Sequence, residues 1–382
     1  MNNIALHIYP STFEHETRIL KETRSLVQFD LFDKIFIVAL WKNGLKKHER
    51  LDDKRELWRV PIKTAFLPNN TFCKIIKHIE WTFRIFFKFK NISIKFINCH
   101  NLSSLSIGIL FKKFLNSKII YDAHELETER NGWSQTKKRI AKILEKYLIY
   151  HTDAIIVVSQ SISQWYKINY SLKNIHVVYN FPCKHKQKNI NKKFNILKEK
   201  FNIKNDEILF IYQGLLGGGR SINLLLNIFS DINKKKHIVF MGYGPLAKKI
   251  KKFSKKFSNI HLHPAVRMKD ITYYTQSADV GLSLIENTCL SYYLTLANKV
   301  VEYINAGIPV ITTDFPEPKK IIENYKCGWT IREDKTLITD FLKNISLENI
   351  KDKTNNASKH KNVFVWENEE KKMIKIYKNL IK

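Results

Sequence analysis

The chain lacks any window of the roughly 18–20 uninterrupted apolar residues that a membrane-spanning helix needs. The nearest, Leu105 to Leu115, is short and carries lysines, so a helical span is excluded and any membrane contact is expected to be peripheral. Glycine and proline are scarce, 12 and 9 in 382 residues, which leaves little room for long disordered tracts. Cysteine is sparse too. Cys73, Cys99, Cys183, Cys289 and Cys327 are odd in number, far apart and in none of the close pairs of zinc or redox motifs, and they read as reduced thiols of a cytosolic protein. Met1 to Pro10 show no basic stretch ahead of an apolar one, so they read as a first strand and not as a signal peptide. Acidic residues are few against basic ones, 35 to 65, for a formal net charge of +30. Such an excess favours phosphate-rich partners, nucleic acid or an anionic membrane. The abundance of Lys, Asn and Ile offers a purely compositional origin for it, and the charge alone selects no partner.

A length of 382 residues exceeds the roughly 250–300 at which single cores stop growing, so two domains are expected. Short β-branched or aromatic runs at Ile4–Tyr9, Lys34–Leu40, Phe96–His100, Lys118–Asp122, Ala154–Val158 and Ile175–Tyr179 read as buried strands. Stretches with helical spacing, such as Glu14–Phe29 and Trp133–His151, lie between them, and this alternation predicts a parallel sheet with right-handed crossovers. It resumes at Ile208–Tyr212, Ile238–Met241, Ile260–His263, Val280–Leu284 and Val310–Thr312. The expected organisation is therefore α/β: a doubly wound, Rossmann-like domain over 1–182, a lysine-rich linker over 183–202, a second such domain over 203–362, and a closing helix in 363–382 that returns to the first. Two such domains would face a central cleft, and ligands of open parallel sheets bind outside the carboxyl ends of the strands.

The strongest local signal is Ile211-Tyr-Gln-Gly-Leu-Leu-Gly-Gly-Gly-Arg-Ser221, a strand running into glycines, an arginine and an apolar helical repeat. Glycines let backbone amides approach an anion, the following helix presents its positive end, and an arginine fork grips diphosphate oxygens. Gly214, Gly217, Gly218, Gly219 and Arg220 are thus candidates for phosphate binding, and the spacing matches neither the Walker pattern nor the dinucleotide fingerprint. A second turn, Gly242-Tyr243-Gly244-Pro245, also closes a strand. Ala297 to Val310 reads as a helix ending at Gly307, which places Lys299 and Glu302 on it; a carboxylate there can accept hydrogen bonds from two ribose hydroxyls. In the first half, His100 and His124 each follow a buried strand directly, on the rim where a sugar would be met. The segment from Phe72 to Lys90 interleaves Trp81, Phe83, Phe86, Phe87 and Phe89 with Lys74, Lys77, Arg84, Lys88 and Lys90, which reads either as an interfacial helix or as a core-packed one with a lysine face.

In combination these segments resemble the retaining glycosyltransferases of family four over nearly the whole chain. The resembling pieces are Arg18 to Leu26, Tyr121-Asp-Ala-His-Glu125, Val158-Ser-Gln160, Val178-Tyr-Asn180, Gly214 to Arg220, Gly242 to Pro245, Asn298-Lys-Val-Val-Glu302, Ala306-Gly-Ile-Pro309 and Trp366-Glu367. The resemblance implies a GT-B architecture. It makes His124 the histidine beside the transferring sugar, Arg220 the diphosphate-binding cation and Glu302 the ribose-binding carboxylate, with Tyr243 and Lys299 beside the donor. Three positions depart from the family pattern. The loop Pro10 to His15 lacks a glycine pair, leaving Thr12 and His15 with His100 as acceptor-side candidates. Leu215 replaces a second arginine, and Leu294 replaces the first of two glutamates, for which Glu286 is the candidate substitute.

The implied reaction is sugar transfer, with retention, from a nucleotide diphosphate sugar to a glycan or lipid-linked acceptor in the building of a bacterial surface polysaccharide, lipopolysaccharide or capsule. No metal motif is visible and no cofactor is expected, the nucleotide sugar being a co-substrate. The enzyme would work in the cytoplasm or peripherally on the inner membrane face. A sugar-nucleotide epimerase, a catalytically idle assembly subunit and a nucleic-acid-binding protein are the rival readings; no recognition-helix or RNA-binding motif supports the last.

Overall fold

The computed structural model describes residues 3–14, 16–184 and 194–382. It divides into two compact units, Met1–Tyr179 with Glu369–Lys382, and Asn180–Asn368. The first boundary falls after Tyr179, ahead of the expected 182, because the next residues are tied into the second unit. There the Trp366 amide donates to the Pro182 carbonyl and the Lys184 amide to the Glu367 carboxylate. Part of the expected linker, 185–193, lies outside the described residues.

In the first unit the strands are β1 Ile4–Ile8, β2 Lys34–Leu40, β3 His48–Arg50, β4 Arg55–Val60, β5 Ile94–Cys99, β6 Lys118–Ala123, β7 Ala154–Val157 and β8 Ile175–Val177. The helices are α1 Thr17–Gln28, α2 Thr71–Phe89, α3 Leu102–Leu115, α4 Gln135–Ile149 and α5 Gln160–Tyr170. The sheet order is β3-β4-β2-β1-β5-β6-β7-β8, parallel except for the β3–β4 pair. β3 and β4 escaped the sequence reading because they carry charges, Arg55, Glu56 and Arg59 among them, where buried parallel strands are continuously apolar. The chain winds outward in both directions from β1 and β5, so the topological switch point, where open sheets bind ligands, lies at their carboxyl ends. The register sets His7 opposite Asn98 there.

α2 starts at Asn70, whose side chain accepts from the Cys73 amide, and it buries Cys73, Trp81, Ile85 and Phe89. The aromatics of the segment therefore divide between core and surface. Trp81 and Phe89 are core residues, while Phe72, Ile75, Ile79, Phe83 and Phe87 form the exposed stripe. α4 shows a second such stripe, Ile140, Ile143, Leu144 and Tyr147, opposite its buried Ala141, Glu145 and Leu148. No helix of the described residues is long and apolar enough to cross a membrane.

The second unit contains β9 Ile208–Leu215, β10 Lys236–Tyr243, β11 Ile260–Pro264, β12 Val280–Ser283, β13 Val310–Thr313 and β14 Gly328–Ile331 in the parallel order β11-β10-β9-β12-β13-β14. Its helices are α6 Ile196–Lys200, α7 Ile222–Asp231, α8 Ala247–Lys256, α9 Ile271–Thr275, α10 Leu290–Leu294, α11 Asn298–Ala306, α12 Pro316–Tyr325, α13 Lys335–Asn344 and α14 Leu347–Lys359; α15, Trp366–Ile381, begins in this unit and ends in the first. Phe210, Tyr212, Leu225, Phe229, Phe240 and Leu282 are fully buried between sheet and helices. The switch point lies between β9 and β12, which places the loops after Leu215 and Ser283 together.

Candidate active site

At the β1/β5 switch point, strand ends gather a buried polar cluster. His7 Nδ1 lies 2.9 Å from His100 Nε2, and His100 Nδ1 lies 3.1 Å from both Asp122 Oδ2 and His124 Nε2. His124 Nε2 is 3.0 Å from the same carboxylate oxygen. Arg18, from α1, spreads its guanidinium over both Asp122 oxygens, at 3.1 and 2.7 Å, while Nε also meets Glu22 one turn on at 2.8 Å and Nη1 donates to the Val178 carbonyl. Burial drives the Asp122 carboxyl up, but Arg18, His124 and His100 outweigh it and hold it well below the usual carboxylate range. Burial wins at Glu22, whose carboxyl is pushed well above its ordinary value against the pull of Arg18. The same burial takes His100 down to about 4 and His7 well below 6.5, so both rings are neutral at pH 7. The cluster thus holds one buried cation against one buried carboxylate, with the neutral rings of His7 and His100 beside them.

The first strand-to-helix loop runs beside this cluster without a glycine. Phe13 takes the left-handed conformation, φ 58°, and Arg59 pins the loop by donating to the carbonyls of Thr12 and Phe13. Thr12 itself donates to Glu14, and His15 lies outside the described residues. A non-glycine residue at positive φ costs of order 1–3 kcal/mol and persists where surrounding contacts impose it; here Arg59 supplies them.

In the second unit, β9 continues to Leu215, so Gly214 belongs to the strand and not to the turn that the sequence suggested. It pairs with Gly242 of β10, where an added Cβ would stand 1.9 Å from the Gly214 carbonyl oxygen. Gly242 therefore serves close strand contact, and Tyr243 beside it is exposed. The turn proper is Gly217–Gly219, with Gly219 at φ 73°, and it leads through Arg220 into α7. Ser221 gives α7 no side-chain cap. Glu286 braces the entry to the helix in another way: one carboxylate oxygen accepts from the Ser221 amide at 2.9 Å, and its own amide donates to the Gly219 carbonyl. Arg220 lies 4.9 Å over the Tyr292 ring from α10.

From α11, Glu302 accepts from the Gln213 side-chain amide at 2.6 Å, and Gln213 in turn accepts from the Thr275 hydroxyl at 2.7 Å. The Tyr303 hydroxyl accepts from the Gln213 backbone amide, fixing α11 against β9. Lys299 stands 3.8 Å over the Tyr212 ring. Burial, then Arg220, lower its pKa from 10.5 to about 7, with Glu302 acting the other way. Two cations and a glycine turn at a helix N-terminus can hold a diphosphate, and a carboxylate on the neighbouring helix can hold hydroxyls.

His100, Asp122 and His124 each bring a ligand atom within 4.8 Å of the others, a grouping a cation could use. Arg18 already occupies both oxygens of that carboxylate, and its fixed charge opposes a second cation there.

The structure brings His100 and His124 together in one unit, and Gly217–Gly219, Arg220, Glu286, Lys299 and Glu302 around one sheet end in the other. Sequence reasoning missed Asp122, Glu22, His7 and Asn98 as members of the first cluster, and Gln213, Tyr212 and Tyr292 in the second. The spacing of Arg18 and Glu22, one helical turn apart on a face that is otherwise buried, was a legible signal for a charge pair.

Residues 33–181 match the family described as Glycosyltransferase Family 4, and residues 193–377 match Glycosyl transferases group 1. No curated protein matches the chain significantly. Among solved structures, sucrose-phosphate synthase from Thermosynechococcus elongatus superposes with a TM-score of 0.77 over 99% of both chains at 13% identity. HepE of Anabaena, crystallised with UDP and glucose, superposes at 0.73 over 99% of this chain and 100% of its own at 11% identity. WaaG, a glycosyltransferase involved in lipopolysaccharide biosynthesis, does so at 0.66 over 98% and 99% at 14% identity. At such identities the likeness carries the fold.

Proposed function

We propose that this chain, a glycosyltransferase of GT-B type, transfers a sugar from a nucleotide diphosphate donor to a glycan or lipid-linked acceptor with retention at the anomeric carbon. The observation that carries the donor assignment is Arg220 directly after the Gly217–Gly219 turn, with Lys299, whose pKa burial and then Arg220 lower, as a second cation. As the sugar leaves, charge gathers on the diphosphate. Arg220, Lys299 and the amides at the start of α7 stabilise it, a preorganised arrangement that contributes mainly in the transition state. These cations do what a divalent ion does elsewhere, and the transfer needs none. Glu302, held by Gln213, takes the ribose hydroxyls, and Glu286 keeps the glycine turn in place. A contact of His124 with the sugar, like retention, rests on the family resemblance.

The acceptor reading places the enzyme in surface-polysaccharide assembly at the inner face of the cytoplasmic membrane. The exposed stripe of α2 among Lys74, Lys77, Arg84, Lys88 and Lys90 supports attachment to anionic lipid, since cations near such a surface gain about 1 kcal/mol each. The test of function is a thermal-shift screen of nucleotide sugars followed by product analysis with and without acceptor. A saturating donor at about 100 times its Kd adds about 2.7 kcal/mol. Transfer with the anomeric configuration preserved is expected; conversion of the donor without any acceptor would overturn the reading in favour of an epimerase.

A further inference from the structure

The buried groups behind His124 have no part in the transfer just described, yet their contacts determine where protons sit. Asn98 Oδ1 faces the Tyr377 hydroxyl, which comes from α15. A phenol donates to a carbonyl oxygen, so the amide nitrogen is the atom turned toward His7 Nε2, 3.1 Å away, and an amide nitrogen only donates. His7 Nε2 is then the bare nitrogen and its proton sits on Nδ1, facing His100 Nε2 at 2.9 Å. By the same step His100 Nε2 is bare and Nδ1 carries the proton, aimed at Asp122 Oδ2. The other end of the chain gives the same answer independently. Asp122, held ionised by Arg18, only accepts, so His100 must present Nδ1–H to it. In the reverse direction a nitrogen lone pair would point at a carboxylate oxygen in a dry interior.

His124 Nε2 lies 3.0 Å from that oxygen and must donate to it as well, so in the neutral ring Nδ1 is the bare nitrogen. His7 and His100 are sealed, at 0% and 1% exposure, whereas the His124 side chain is 18% exposed. If His100 reversed, its bare Nδ1, 3.1 Å from His124 Nε2, would compete with Asp122 for the His124 proton.

We infer that Tyr377, Asn98, His7 and His100 form a one-directional hydrogen-bonded chain that, with Asp122, holds His124 in its Nε2–H form, so that Nδ1 meets the substrate as an acceptor for a sugar hydroxyl. The last clause rests on the proposed transfer; the proton positions do not. Tyr377, Asn98, His7 and His100 are positioning residues, acting through His124.

The deciding measurement is a long-range 1H–15N correlation spectrum of 15N-histidine-labelled full-length protein at neutral pH, with resonances assigned through single His→Gln variants. Protonated Nδ1 at His7 and His100, and protonated Nε2 with bare Nδ1 at His124, are expected. A proton on Nε2 of His7 or His100, or on Nδ1 of His124, overturns the chain, whatever the activity. A kinetic pair follows. His100→Leu removes a donor from Asp122 and is expected to lower kcat about 10–100-fold, the usual effect of losing a partner that orients a functional histidine, with donor KM within about twofold. His100→Gln, whose amide can still donate to Asp122 and accept from His7, is expected to recover much of the loss. Equal kcat in wild type and His100→Leu overturns the positioning role. If His100→Leu does not fold, the wild-type spectrum still decides. Should the spectrum agree while His124→Ala transfers sugar at the full rate, the proton chain stands and the sugar contact of His124 fails.

Discussion

Lys299 is where solution pH should reach donor binding. In the free protein its pKa is about 7, because burial and the nearby Arg220 both disfavour the ammonium. A diphosphate bound beside Lys299 would reverse that balance by bringing negative charge to the ammonium. Above pH 7 the free protein has lost the proton that the complex retains, so binding takes up a proton and affinity falls as pH rises. The limiting slope is tenfold per pH unit, about 1.36 kcal/mol. With a free-state pKa of about 7, and a bound-state value above the range measured, Kd should weaken about fivefold from pH 7 to 8 and about 50-fold from pH 7 to 9.

Stability moves the other way. The folded pKa lies below the unfolded value of 10.5, so between pH 7 and 10.5 the unfolded chain holds more protons. The contribution of Lys299 to stability is therefore fully present above 10.5 and is lost as pH falls toward 7. Weaker binding at high pH cannot then be an unfolding effect of this residue. The assay is calorimetric titration of UDP, or of the nucleotide returned by the donor screen, between about pH 7 and 9 in two buffers of different ionisation enthalpy. Lys299→Met should bind more weakly at pH 7, with a flat profile. A flat wild-type profile with no proton uptake, or the same slope in Lys299→Met, would refute the reasoning.

Arg220→Ala should lower kcat/KM by about 10²–10³ and shift melting little, since what the guanidinium loses is a stacking contact over Tyr292 at 4.9 Å; near-normal turnover would remove Arg220 from the mechanism. Asp122→Asn leaves the buried Arg18 without its main counter-charge and should cost about 3–5 kcal/mol, read as an earlier thermal transition; unchanged melting would show that Glu22 alone balances Arg18. Changing Lys74, Lys77, Arg84, Lys88 and Lys90 to Gln should abolish salt-sensitive co-sedimentation with anionic vesicles without altering melting, and equal binding of both proteins would exclude α2 as the anchor. EDTA should leave transfer intact; a loss restored only by magnesium or manganese would put a metal in the reaction.

The fold was legible where burial is two-sided. Ile35, Ile37, Val38, Ile119, Ile120, Ile155 and Ile156 are apolar because parallel strands are covered on both faces, and runs of that kind survive in the sequence as runs. β3, β4 and β14 were missed because they lie toward the ends of their sheets, where charges and an exposed face interrupt the run. The α2 segment shows the same limit on a helix. Its aromatics occur on every side, so composition could not separate buried Trp81 and Phe89 from exposed Phe83 and Phe87; only the 3.6-residue repeat applied to a known neighbour does.

The candidate sites divide by the same logic. Arg220 and the glycines before it announce themselves because one short segment contains the turn, the cation and the helix start. Glu286 is the substitute the sequence offers for a missing glutamate, and its place in the structure, accepting from the Ser221 amide across 65 residues, cannot be inferred from spacing. His7 and His100 are 93 residues apart, and Tyr377 lies 279 residues from Asn98. The pairing of these residues carries no local signal, because the contact between them is created by strand order: β1 lies beside β5 only after the chain has crossed β2, β3 and β4. A histidine within a strand that otherwise reads as fully buried is the one trace such a cluster leaves. His7, in Ile-Ala-Leu-His-Ile, is such a residue, since a wholly buried imidazole needs partners for both nitrogens and only the neighbouring strands can supply them.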